Sequence, residues 1–396
     1  MSEVGAVALG RVAAPPEHES TSGCFYFWVD RSQSVERTQI VTTESTVAGR
    51  TVRFVGIVQE VYRRSRQRDI GEESARFDGR AGERPPFESE GVTFAEVAIL
   101  RTDPVAHTPP TEESVVYLAT AMDAARGYGI DSMGQRLDVG LLRNGGTAFA
   151  GRAAIDLDFL LGKNGGHLNV NGIAGLGAKS SLLLGLNWLL LREAARQEEL
   201  RRSDPFRLQV VPIIFNVKNY DLFFIDHPNR NFQKKEADYR ADWSALGVTD
   251  PVPFTDVAFY APQQPKLTTP VDTGRPDGLV KPYSWSLSDV IRQELFSFLF
   301  SEDDIHDANF GGLVNEVEEW LTSSGPHGPS LRTTNGAPQT FDELLEWFRD
   351  QKDGMFSDFH KGTKGKLLRR LKYVVQEGDG VLRRSDATGN PIAIPR

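Results

Sequence analysis

Between His167 and Leu191 the chain reads H-L-N-V-N-G-I-A-G-L-G-A-K-S-S-L-L-L-G-L-N-W-L-L-L, the part of the sequence richest in chemical meaning. A short apolar piece enters a glycine-rich turn, and a lysine and two serines then open a strongly apolar helix. That order suits phosphate binding: free backbone N–H groups and the positive end of a helix face the anion, and glycines let the backbone curl around it. In such a loop Lys179 reaches the β- and γ-phosphates and Ser180 offers its hydroxyl to Mg²⁺. Gly172, Gly175, Leu176, Gly177, Ala178, Lys179, Ser180 and Ser181 are the candidate nucleotide-binding residues, with Ser180 as the metal ligand. The spacing departs from G-x-x-x-x-G-K-[ST], because Ala178 stands where a glycine is expected and Ile173 occupies the first position. Either the loop is one residue longer than usual, or alanine meets the required backbone angle.

Two further stretches could contact phosphates or nucleotide. Leu208 to Asn216 reads as a second strand, whose polar exit, Asn216, Lys218 and Asp221, falls where ligands bind in open α/β sheets. The run His360 to Lys372 is basic; its lysines and arginines, Lys361, Lys364, Lys366, Arg369 and Arg370, suit sequence-independent contact with DNA phosphates, and they equally suit a solvated face paired with Asp342, Glu343 or Asp350. Arg63-Arg64 and Arg201-Arg202 are weaker candidates of the same kind. An apolar strand ending in Asp-Glu, needed to hold magnesium and orient water, is not found after residue 200. Phe223-Phe224-Ile225-Asp226 has the texture but is followed by His227, the strand at Val257 to Ala261 runs into Pro262-Gln263, and Leu344-Leu345-Glu346 belongs to a helical pattern. No catalytic residue is assigned, and His167 has no metal-ligand cluster around it.

These residues must be carried by the rest of a 396-residue chain that is 39% hydrophobic and 25% charged, a soluble globular composition of two or three domains. The net charge of -9 excludes a chain that coats nucleic acid over its whole surface, though not a local basic channel. A single cysteine, Cys24, permits neither an internal disulfide nor a cysteine-based zinc site, and a cytoplasmic setting is the expectation. The longest apolar run, Leu182 to Leu191, is far shorter than the roughly 20 residues of a membrane span, so no membrane is expected. Residues 1–130 read as short β-branched and aromatic strands of a small barrel or sandwich, interrupted by a charged insertion at 63–91. A glycine-rich connector follows at 131–165. From 166 to 396 strands alternate with helices, which favours an α/β arrangement with parallel strands. Strands are expected at His167–Asn171, Leu208–Asn216 and Val257–Ala261, and helices at Lys179–Arg202, Leu287–Ser301, Leu313–Ser323 and Phe341–Gln351.

The G-R-V at Gly10, V-R-F-V-G-I-V-Q-E-V at Val52, A-E-V-A-I-L-R near Leu100, the L-L-G … G-G-H-L-N-V-N-G-I-A-G lead-in at Leu160 to Gly175 and I-I-F-N-V-K-N-Y-D-L at Ile213 resemble the HerA family, hexameric ATPases of the RecA/FtsK-like P-loop class. The resemblance is specific around residues 160 to 225. It implies an α+β multidomain chain: an N-terminal β-barrel of the HAS type followed by a RecA-like α/β P-loop domain, incomplete at its C-terminal end, with a helical insertion at about 287–372. It further implies ATP and Mg²⁺ as cofactors, a homo-oligomeric hexameric ring, translocation on or unwinding of duplex DNA, and a nuclease or other effector partner in DNA end processing or anti-phage defence. In the family the acidic strand lies farther on, so the expectation is a truncated chain that binds nucleotide better than it hydrolyses it. A non-hydrolysing, ring-forming scaffold is the alternative, and a small-substrate P-loop kinase the least fitting one.

Overall fold

In the computed structural model the chain is mixed α+β, and residues 7–65, 70–80, 82, 91–146, 148–162, 166–173, 178–200, 209–216, 222–326, 328–334, 336–378 and 380–392 are described. It divides into two compact units, one of residues 1–213 and 229–251, the other of residues 214–228 and 252–396.

The first unit opens with β1 (Ala8–Val12), β2 (Cys24–Val29), β3 (Ile40–Val47), β4 (Arg50–Ser65), β5 (Gly91–Asp103) and β6 (Val115–Leu118), which close into a six-stranded barrel in the order β1-β2-β5-β4-β3-β6. Period-two alternation makes the barrel: Phe25, Phe27 and Val29 point inward with Val12, Val41, Val58, Val97 and Val116, while Trp28 faces out. The barrel expected from the sequence is therefore present. The charged insertion differs at its start, because β4 stays in the ladder through Arg63, Arg64 and Ser65, paired with Thr93, Val92 and Gly91. Within it, α1 covers Ile70–Arg76.

After the barrel, α2 (Ala121–Gly127) is capped by Thr120 and Asp123, and Arg53 of β4 pairs with the buried Asp123 at 2.8 Å. The hairpin β7 (Arg136–Arg143) and β8 (Phe149–Asp156) follows; its turn is tied to the barrel by Asn144, whose side chain accepts from the Ile40 N–H at 2.9 Å. A single turn, α3 (Leu157–Leu160), precedes the long α4 (Ala178–Leu200). Leu186, Leu190, Ala194 and Gln197 form the buried stripe of α4, at helical spacing. The unit is completed by α5 (Arg230–Leu246), capped by Asn229 and ended by Gly247 in a left-handed conformation. No helix was expected there: α5 buries none of its residues, so its sequence lacks an apolar stripe, and the caps were its only signal.

In the second unit, β9 (Phe259–Pro262) and β10 (Val280–Tyr283) pair in parallel. The helices α6 (Leu287–Arg292), α7 (Glu302–His306) and α8 (Ala308–Leu321) follow, then the hairpin β11 (Thr322–Gly325) and β12 (Gly328–Leu331), then α9 (Phe341–Gln351) and α10 (Lys361–Glu377). Phe296, Phe310, Leu313, Val317, Phe341, Leu344, Phe348, Phe356, Leu367 and Leu371 make one core of buried side chains, with Trp320 stacked on Trp347 at 4.2 Å. The expected helix Leu287–Ser301 is broken: Glu294 takes a left-handed φ of 56° and the Leu295 N–H turns back to Val290.

Two expected strands are not formed. His167–Asn171 and the described part of Leu208–Asn216 lie in no ladder, and among the described residues the one parallel ladder is that of β9 and β10, with an isolated parallel bridge between Trp285 and Leu382. A strand needs a partner edge, and Pro212 removes one donor from the second of these segments.

Candidate phosphate-binding site

The lysine and serines fall where the sequence places them, in the first turn of α4, which carries no acidic residue. A carboxylate there would repel a phosphate; its absence leaves the helix end positive. Lys179 bends back toward the lead-in, its Nζ donating to the Gly172 carbonyl oxygen at 2.8 Å. The contact spans seven positions of the sequence. A Cβ on Gly172 would lie 3.3 Å from Lys179 Cγ, so the glycine leaves room for the lysine stem. Lys179 and Ser180 are half-buried, while Ala178 and Ser181 are exposed. Gly175, Leu176 and Gly177 lie outside the described residues. His167 is exposed on the lead-in, and no trio of metal-ligating side chains gathers among the described residues. The groups present fit a polyphosphate: one ammonium held by a neutral carbonyl, which a phosphate oxygen replaces with a stronger charge-assisted bond, and a hydroxyl at the next residue for Mg²⁺.

The other candidates are dispersed. Lys218 and Asp221 fall outside the described residues, as do Arg201 and Arg202. Phe215 is 87% exposed at the end of the unladdered segment. Asp226 is bound by Arg275 at 2.7 and 3.0 Å, and the Arg275 side chain is 1% exposed. The basic run forms α10 and splits into two sets. Lys364 is buried against Asp353 at 3.1 Å, Lys366 meets Asp304 at 2.8 Å over the Phe310 ring, and Arg370 meets the same carboxylate at 2.8 Å. Lys361 and Arg369 are exposed, with no carboxylate partner among the described residues, and Lys372 and Tyr373 continue their side of the helix into solvent. Lys366 and Arg370 hold the Asp304 carboxyl below its ordinary range, the Lys366 hydrogen bond contributing most. Arg63 and Arg64 are exposed at the end of β4.

No protein-family model matches the sequence, and no curated protein is significantly similar to it. Among the described residues no helix is long and apolar enough to cross a membrane.

Proposed function

We propose that the chain is the ATP-binding subunit of a HerA-like ring motor acting on duplex DNA, with a RecA-like P-loop centred on Lys179 and Ser180. The observation that carries this reading is the hydrogen bond from Lys179, in the first turn of α4, to the Gly172 carbonyl on the lead-in. The closed barrel ahead of it agrees with the resemblance in order and position. Lys179 binds the β- and γ-phosphates, Ser180 the magnesium ion, and the exposed Lys361 and Arg369 track the DNA backbone without reading bases.

The strands support a second reading, a ring scaffold that binds nucleotide without hydrolysing it and serves a partner effector. Among the described residues after position 200, β9, β10, β11 and β12 end at Pro262, Tyr283, Gly325 and Leu331, and none delivers an acidic pair. Titration with a non-hydrolysable ATP analogue and Mg²⁺ tests what both readings share: Lys179→Ala abolishes the Mg²⁺-dependent binding event, and an equal Mg²⁺-dependent event in the two proteins overturns the phosphate-loop assignment. Duplex-stimulated ATP turnover then selects the motor, and nucleotide-dependent assembly without turnover selects the scaffold.

A further inference from the structure

At the far end of α4, within the first unit, β7, the second half of α4 and the residues following α5 enclose a cleft of about 1280 Å³. Thirteen residues of helix separate Lys179 from Arg192, about 20 Å along the axis, so this cleft is independent of the phosphate-binding turn and of the function proposed for it. Four arginines line it against three acids. Arg196 is engaged, donating to Glu193 at 2.6 and 2.8 Å. Arg152 is engaged on two sides, with Asp138 Oδ2 at 3.0 Å and the Ala245 carbonyl at 2.7 Å. Glu198, the third acid, is exposed and has its own interaction within the chain.

The remaining two arginines are not engaged in this way. Arg136 comes no closer than 3.6 Å to Asp138 Oδ1, and that buried oxygen has no hydrogen-bond donor, so the pair is electrostatic contact alone. Arg192 has no carboxylate partner among the described residues; its guanidinium lies 5.3 Å from the centre of the Trp188 ring. Two guanidinium forks with their N–H donors unspent thus open on one cavity, and one carboxylate, Asp138, faces both Arg136 and Arg152. A guanidinium fork matches the oxygens of a phosphate, and one held against an indole offers its other face to a planar ring. Leu137, Leu157, Leu189 and Val248 supply the apolar part of the wall. The volume exceeds that of ordinary small-ligand pockets, about 300–1,000 Å³, and admits a ring, a sugar and a phosphate together.

We infer that this cleft is a second ligand site, for a mononucleotide bound through its phosphate by Arg136 and Arg192. The test is calorimetric titration of the full chain with AMP, which lacks the β- and γ-phosphates that Lys179 would reach. AMP binds the wild-type chain and Lys179→Ala alike, and Arg136→Gln/Arg192→Gln weakens it at least tenfold while the thermal melt is unchanged. Wild-type affinity in the double variant overturns the site. Loss of AMP binding in Lys179→Ala also overturns it, since AMP would then sit at the start of α4, and inorganic phosphate binding as tightly as AMP overturns the nucleotide assignment. Loss of the Mg²⁺-dependent ATP-analogue binding event in Lys179→Ala is a separate readout, so either site can fail while the other stands.

Discussion

Arg275 grips the Asp226 carboxylate with two hydrogen bonds of 2.7 and 3.0 Å while its own side chain is only 1% exposed. The same guanidinium donates to the Phe223 carbonyl and to Asp277, and lies 4.5 Å from the Phe259 ring centre. It joins the turn before α5 to β9 and the loop before β10. Arg275→Ala leaves Asp226 without its partner and is expected to cost about 3 kcal/mol, the usual penalty for removing one member of a buried pair. Arg275→Lys recovers little of this, because an ammonium cannot make the two-point contact. Chemical denaturation of the full chain measures both.

The same pair sets an acid dependence. Arg275, chiefly by its hydrogen bonds, holds the Asp226 carboxyl below its ordinary range, and it does the same to Asp277. A depressed carboxylate stabilises the fold above its unfolded pKa, about 4, and that contribution is lost as pH falls through the folded value. Wild-type stability is therefore expected to drop on the acid side of pH 4, and Asp226→Asn to flatten the drop while lowering stability at neutral pH. Denaturant midpoints between pH 2.5 and 7 report the slope.

On α10 the basic residues are expected to separate by effect. Lys361→Ala and Arg369→Ala leave the fold intact and weaken duplex binding, each lowering the salt slope of affinity by about 1. Removing the Asp304 carboxylate has the opposite profile. Asp304→Asn strips both Lys366 and Arg370 of their partner and costs about 2 kcal/mol, with little loss of DNA affinity. Binding isotherms over a series of salt concentrations, paired with thermal melts, resolve the two classes.

In the barrel, Gly56→Ala is expected to be severe. A Cβ there would lie 2.4 Å from Val97 Cγ1 and 2.7 Å from the Ala98 carbonyl oxygen, between β4 and β5. Gly49, in the tight β3–β4 turn, has a φ of 78° and open space around it, so Gly49→Ala costs about 1 kcal/mol of backbone strain and no packing. Near-ultraviolet circular dichroism separates the outcomes: lost tertiary signal for Gly56→Ala, a retained spectrum for Gly49→Ala.

The barrel was legible because its strands alternate; Phe25, Phe27 and Val29 declare an inner face before any pairing is known. α9 was legible to the residue, since Phe341, Leu344 and Phe348 repeat at helical spacing after the capping Thr340. Leu208–Asn216 misled for a physical reason: β-branched composition marks a segment that suits a ladder, but the ladder itself depends on a neighbouring edge that sequence does not reveal. The basic run misled in part. Its charges were visible, whereas the burial of Lys364 against Asp353 and the sharing of Asp304, on a helix about 60 residues upstream, depend on tertiary packing that no local pattern encodes. The start of α4 is legible, with Lys179 and Ser180 in its first turn, and the contact of Lys179 with Gly172 is not, because it is made by a side chain that turns back seven positions along the sequence.

The two units share the chain in alternation: residues 214–228 belong to the second, and residues 229–251 return to the first before the chain leaves it again. On the ribosome this orders events. The barrel strands are complete by Leu118 and can close while synthesis continues, but α4 must wait for α5 to bring Trp243 against Trp188. For that interval the Trp188 side of the helix is an unfinished surface, and a chaperone that meets this chain during translation would meet it there.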